Sequence, residues 1–221
     1  MARQRGGSPT ALSTWRITTG DHAVADTLAS SYGGIPHLWE TNGGHSIEVL
    51  TRRDRVPVLL DGEASISLRM LMRGTGEAFH VCDGTRFLEP AAARGSVCGC
   101  PAGLADRKAA AKAGRGPTPE ARLRFRLADL PELGAFSLTS TSWDFAEELP
   151  TLVGALNAAD TPALCVLQYE LVEFATLSGI DVSYRKPVVE VGRCASVAAR
   201  SRTRPRADRA VPRPRDAQLQ W

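Results

Sequence analysis

Between Arg73 and Ala121 the chain carries no long stretch of helical or strand periodicity, and this gap sets most of what the rest can fold into. Gly74, Gly76, Gly84, Gly95, Gly99, Pro90 and Pro101 interrupt it, and glycine and proline at that density mark turns rather than regular elements. The one regular piece inside is Leu104 to Ala113, an alanine-rich stretch predicting a short helix, followed by a linker from Gly114 to Pro119. On both sides the sequence is regular. It therefore reads as α+β: two β-rich units, each with one packed helix, joined by a small insert that needs some other means of support.

The boundaries follow from composition. Residues 1–13 read as a disordered lead, 14–78 as the first β-helix-β unit, 79–121 as the insert, 122–192 as a β-β-helix-β-β unit, and 193–221 as a disordered Arg/Pro tail. In the first unit, Trp15 to Thr18 predicts a strand and Asp21 an N-cap for a helix ending at Gly33-Gly34. Ser46 to Thr51, Arg55 to Leu60 and Ser65 to Met72 predict three strands. In the second, Leu123, Phe125 and Leu127 alternate with arginine, Ala135 to Thr139 returns as a strand, and Thr141 or Ser142 caps a helix. Pro150 inside that helix predicts a kink or break. Ala163 to Thr176 and Ile180 to Val191 predict a long hairpin. A shift of 121 residues lays the first strand and helix over the second, with four identities in twenty positions. That leaves both chance and true repetition open.

The insert holds the strongest chemical signal. His80-Val81-Cys82 and Cys98-Gly99-Cys100-Pro101 form two local pairs separated by a 15-residue loop. Four Cys or His donors in two such pairs are how structural zinc is held, so His80, Cys82, Cys98 and Cys100 are candidate ligands of a structural zinc. The spacing of one residue within each pair is shorter than the usual two to four. Buried small thiols beside a solvated histidine is the competing reading, and Asp83 or a water is an alternative fourth ligand. Five cysteines, with no apolar run after the basic N-terminus to make a signal peptide, argue for a cytoplasmic chain without a disulfide framework. The longest apolar runs are about five residues, against about 20 for a membrane span. Cys165 reads as core.

Catalytic signatures are missing. His22, His37 and His45 have no neighbouring nucleophile, and the zinc deaminase pattern needs a Glu where Cys82 stands. Gly74-Thr75-Gly76 lacks the third glycine of a dinucleotide turn. Two basic features remain. Arg107, Lys108, Lys112 and Arg115 against Asp106 give the insert helix a net of +3 with no apolar stripe. The tail 193–221 holds eight arginines against two aspartates, a net of +6, so the other residues sum to about −3. Such a tail suits non-specific DNA contact or an incidental terminus.

A family resemblance then becomes visible. Trp15-Arg16-Ile17-Thr18-Thr19-Gly20-Asp21, Trp39-Glu40-Thr41 and Glu48-Val49-Leu50-Thr51 resemble the first half of the recombination directionality factor-like proteins of actinobacterial phages and prophages. His80-Val81-Cys82-Asp83-Gly84, Cys98-Gly99-Cys100-Pro101, Arg107-Lys108-Ala109-Ala110, Phe125-Arg126-Leu127 and Val182-Ser183-Tyr184-Arg185-Lys186-Pro187 are similar to the second, in the same order. The resemblance covers about residues 14–191 and departs from the family at Pro150 and after Val191. It implies a non-enzymatic accessory protein that binds a large serine integrase and turns recombination toward excision. Arg107, Lys108, Lys112 and Arg115, with Tyr184, Arg185 and Lys186 of the hairpin, are the candidate contacts. Two other classes compete: a zinc-dependent hydrolase of small substrates, and a single-stranded nucleic-acid binder on OB-like sheets using Trp15, Trp39 or Phe125 as stacking platforms.

Overall fold

The computed structural model describes residues 14–41, 44–74, 78–176, 179, 181–192 and 217–220. The expected disordered lead, most of the tail with Cys194, and the side chains of Trp39 and His45 lie outside the described residues. Three α-helices and twelve strands are present among those described, and the mixed α+β class is as expected.

The first unit runs β1 (Arg16–Thr19), α1 (His22–Tyr32), β2 (Pro36–Thr41), β3 (Gly44–Leu50), β4 (Arg55–Leu60) and β5 (Ile66–Arg73). Asp21 caps α1 as expected, its carboxylate accepting from the Ala23 and Val24 amides. β2 went unanticipated: His37 and His45, expected in a glycine-rich loop, belong to the β2–β3 hairpin. The insert contains β6 (Ala78–Cys82), β7 (Phe87–Glu89) and α2 (Leu104–Lys112). The second unit is β8 (Thr118–Leu127), β9 (Ala135–Ser140), α3 (Trp143–Asn157), β10 (Ala163–Ala175) and β11 (Asp181–Val191). β8 begins inside the expected linker. Ser142 caps α3, donating no proton but accepting from the Phe145 amide. Pro150 does not break α3. It removes one backbone donor, but Phe145, Leu149, Leu152 and Leu156 bury the helix on either side of it and hold both turns in place.

β12 (Ala217–Gln220) is a correction to the expected tail. It lies between β1, to which it is antiparallel, and β9, to which it is parallel. The strands share one sheet in the order β11-β10-β4-β8-β9-β12-β1-β3-β2, with β5, β6 and β7 branching from β8. The two halves therefore interleave, β4 of the first lying between β8 and β10 of the second. The 121-residue shift survives in the caps, Asp21 and Ser142, and in the order strand, helix, hairpin. It does not survive in pairing, because β1 pairs β3 directly whereas β9 pairs β8 and β12.

One apolar cluster joins both halves, including Trp15, Ile17, Leu28, Tyr32, Val58, Leu123, Phe136, Phe145 and Cys165. Cys165 is core, as expected. The Trp15 ring stacks on Tyr169 of β10 at 4.0 Å between centroids. β1 and β10 are five steps apart in the sheet, about 24 Å if it were flat at the usual strand spacing. The sheet must therefore coil around its core. No helix among the described residues is long and apolar enough to cross a membrane.

Candidate metal centre

His80 and Cys82 are two residues apart on β6, so the pleat turns both side chains to one face. A turn follows in which the Asp83 carboxylate accepts from the Thr85 and Arg86 amides, both at 2.7 Å. Asp83 is thereby engaged in the turn, which accounts for its lowered carboxyl: the Arg86 and Thr85 amides favour its charged form. The chain then folds back along itself. Phe87 donates its amide to Ser96 at 2.9 Å, and Cys98 donates to Thr85 at 2.9 Å, returning Cys98 to the end of β6. Gly99 has φ +74°, the left-handed turn that brings Cys100 around behind Cys98.

The result is a compact donor set. One ligand atom each from His80, Cys82, Cys98 and Cys100 lies within 4.8 Å of all the others. The Cys82 and Cys100 sulfurs are 3.7 Å apart, and Cys100 Sγ is 3.5 Å from His80 Nε2. A tetrahedral ion with ordinary zinc bond lengths needs edges of about 3.8 Å between sulfurs and about 3.5 Å between sulfur and nitrogen. The residues fit such an ion. They are positioned to hold a metal, and their three thiols and one imidazole form a set that suits zinc.

The electrostatics point the same way. Burial pushes the Cys82 thiol up to about 12 and raises Cys100 as well, with the Cys98 thiol adding to the effect on Cys100. For Cys98 burial also acts upward, but the Cys100 amide and the Cys82 and Cys100 thiols outweigh it and lower the thiol. Three crowded thiols cannot all ionise by themselves, and a divalent cation among them reverses that balance. Burial lowers His80, which favours the neutral ring with a free lone pair. The Gly84 amide favours the Cys82 thiolate and the Cys100 amide the Cys98 thiolate.

Arg107 of α2 braces this loop. Its Nε donates to the Pro101 carbonyl at 2.6 Å and its Nη2 to the carbonyls of Gly84 at 2.9 Å and Ala102 at 3.1 Å. Gly84 has φ +96°, and a Cβ there would sit 2.2 Å from the guanidinium, so only glycine lets the arginine in. Lys108 turns to α3, reaching Asp144 at 3.2 Å and Glu147 at 3.4 Å. Tyr184 donates its hydroxyl to the same Asp144, and Lys186 pairs with Glu148 at 2.7 Å and Glu170 at 3.3 Å. Three of the seven expected contact residues, Lys108, Tyr184 and Lys186, thus tie α2, α3 and the hairpin together, and a fourth, Arg107, ties α2 to the insert loop. Lys112 and Arg115 are exposed, with no ion pair among the described residues, and Arg185 is half-buried. The sequence reading missed this inward role of Arg107; Gly84, directly after Asp83, was the one available sign of a close approach.

Beside the centre lies a cleft of about 290 Å³ lined by His80, Cys98, Cys100, Arg107, Arg115 and Pro117 among others, with no carboxylate among the described residues of its lining. The aromatic platforms of the nucleic-acid reading are also accounted for. Trp15 is fully buried, and its indole donates to the Asp54 carbonyl at 2.8 Å. Phe125 is 3% exposed.

The family model described as Gp3-like, recombination directionality factor-like, matches residues 2–191. The chain belongs to this family. All four donors, Arg107 and both caps of the recombination directionality factor-like fold lie inside the matched residues, whereas β12 lies beyond them. The family description suggests an accessory factor of recombination rather than an enzyme. No solved structure matches the chain.

Proposed function

We propose that this chain is an accessory protein that binds a large serine integrase and biases site-specific recombination toward excision, with a structural zinc holding its insert. The family match over residues 2–191 carries the reading. The donor geometry supports it: four protein donors within 4.8 Å of one another would fill a tetrahedral shell and leave no coordination position for a reacting water, as in structural sites. The described lining of the adjoining cleft holds no carboxylate to serve as a general base, which weighs against the zinc hydrolase. Burial of Trp15 and Phe125 weighs against nucleobase stacking.

A factor of this kind acts by binding one arrangement of its partner better than another, and needs no turnover. When bound, the zinc would be held by His80, Cys82, Cys98 and Cys100 and would supply rigidity. Arg107 would keep the loop against α2, and α2 would be held to α3 by Lys108. That leaves Lys112 and Arg115 facing outward as the integrase contacts, with Arg185 and the hairpin around Tyr184 and Lys186 beside them. DNA would be reached through the integrase or through the arginines of 193–215. The protein would work in the cytoplasm.

The test is conversion of attachment-site substrates by the integrase of the same genome with this protein titrated in. Excision should rise and saturate at a fixed protein-to-integrase ratio. Lys112→Glu with Arg115→Glu should shift the titration to higher concentration while leaving the thermal midpoint in place, since exposed substitutions usually cost within about 0.5 kcal/mol. Wild-type protein that neither binds the integrase nor alters recombination overturns the reading.

A further inference from the structure

Among the described residues, the sheet is continuous across its middle through β12. β1 is paired on one side by β3 and β9 on one side by β8, and among the described strands the facing sides of both are paired by Ala217–Gln220. Take those four residues away and two strand edges face each other across a gap one strand wide. Unpaired edges at that depth in a sheet are costly and invite another strand. Both walls, Arg16–Thr19 and Ala135–Ser140, lie within the family-matched residues 2–191, while the strand between them lies outside.

We propose that the gap between β1 and β9 is a strand-accepting slot, filled in this chain by β12 and open to an extended segment of a partner protein that displaces β12. The register defines what fits. The central position stands between Ile17 and Leu138, both fully buried, so it calls for an apolar residue. The positions before and after it stand beside Thr18 and Ser137, and beside Arg16, and call for polar ones. Gln218-Leu219-Gln220 has that polar-apolar-polar alternation. Backbone pairing on two sides supplies affinity, and the single apolar position supplies selectivity, as in other strand-addition interfaces. That the partner is the integrase rests on the function proposed above; the slot itself does not.

The experiment uses the full chain and a labelled synthetic peptide with the sequence of residues 214–221. In the wild type, β12 competes with the peptide. Leu219→Pro removes a backbone donor from β12 and leaves the residues of both walls unchanged. The variant should lose at least tenfold of the hydrogen-exchange protection at Arg16–Thr18 and Phe136–Leu138, bind the peptide at least tenfold more tightly than the wild type, and regain the protection once bound. A peptide with aspartate in place of its leucine should not bind. Unchanged protection in the variant, or equal peptide binding by variant and wild type, overturns the slot. Should the variant fail to fold, saturating the wild type with peptide carries the test: exchange at Gln218–Gln220 must rise while both walls stay protected, and no rise overturns displacement. Integrase that leaves Gln218–Gln220 exchange unchanged where the peptide raises it overturns the integrase as occupant and leaves the slot standing.

Discussion

The coiled sheet and the insert are held by different physics. The sheet encloses a cluster to which both α1 and α3 contribute, with Trp15, Leu123, Phe136 and Leu156 all at 1% exposure or less. α2 buries no residue at all, and the loop from Asp83 to Pro101 offers mostly exposed side chains. The insert is tied to the body by the pairing of β6 with β5, the Arg107 brace and the ion pairs of Lys108, and its four candidate donors are positioned to add a metal. Hydrophobic burial is distributed and tolerant of single losses, whereas a four-ligand centre is lost when one donor goes. A stable body can thus carry a surface whose shape depends on a few polar groups.

Removing the metal should separate the two regions most sharply. Protein made with zinc under reducing conditions should hold about one zinc per chain, and structural zinc contributes on the order of 10 kcal/mol. Chelation should abolish hydrogen-exchange protection over residues 79–101 and spare β8 and β9. Cys98→Ser should do the same without chelator. Zinc-free protein with an ordered insert would break the comparison.

Leu123→Ala should act on the other side. Leu123 is fully buried in β8, opposite Leu138. Its truncation should cost about 2–5 kcal/mol of global stability, read as a fall in thermal midpoint, with the metal retained until the body unfolds. Arg107→Ala should come next. It leaves the Pro101, Gly84 and Ala102 carbonyls without their charged donor, and should cost about 1–3 kcal/mol felt as faster zinc loss to a competing chelator. An unchanged release rate would show that the brace is idle.

The smallest effect concerns the seam between the regions. Lys108→Ala should cost about 0.5 kcal/mol, as partly exposed pairs do. The Tyr184 hydroxyl, and then Lys108, hold the Asp144 carboxyl below its ordinary 3.8. A carboxyl lowered in the folded state stabilises it above 3.8, and that contribution fades as pH falls through the folded value. Tyr184→Phe should move the Asp144 titration upward, measured by NMR of the carboxyl carbon.

The parts of the molecule that could be read from local pattern were those whose signals lie within a few residues. Asp21 and Ser142 declare their helices because a cap acts on amides two or three positions on. β8 shows itself by alternation, and the His-x-Cys and Cys-x-Cys pairs by spacing. β6 and β7 were missed because they are short and lie among glycines, held by one another and by β5 rather than by their own propensity. β12 was missed because four residues in an arginine- and proline-rich stretch carry no strand period. Pro150 predicts a kink or a break because its cost is local, whereas the burial that keeps α3 continuous comes from across the core.

Sequence alone thus determined the helices, the longer strands and the family, and singled out the four candidate donors that the fold brings together. Tertiary structure decided that the two halves interleave in one coiled sheet, that β12 enters it, and that Arg107 and Lys108 turn inward. The physical reason is range. Caps, periodicity and ligand spacing depend on neighbours along the chain, while strand order and the partner of a long cationic side chain depend on which distant backbone or carboxylate the fold brings within about 3 Å.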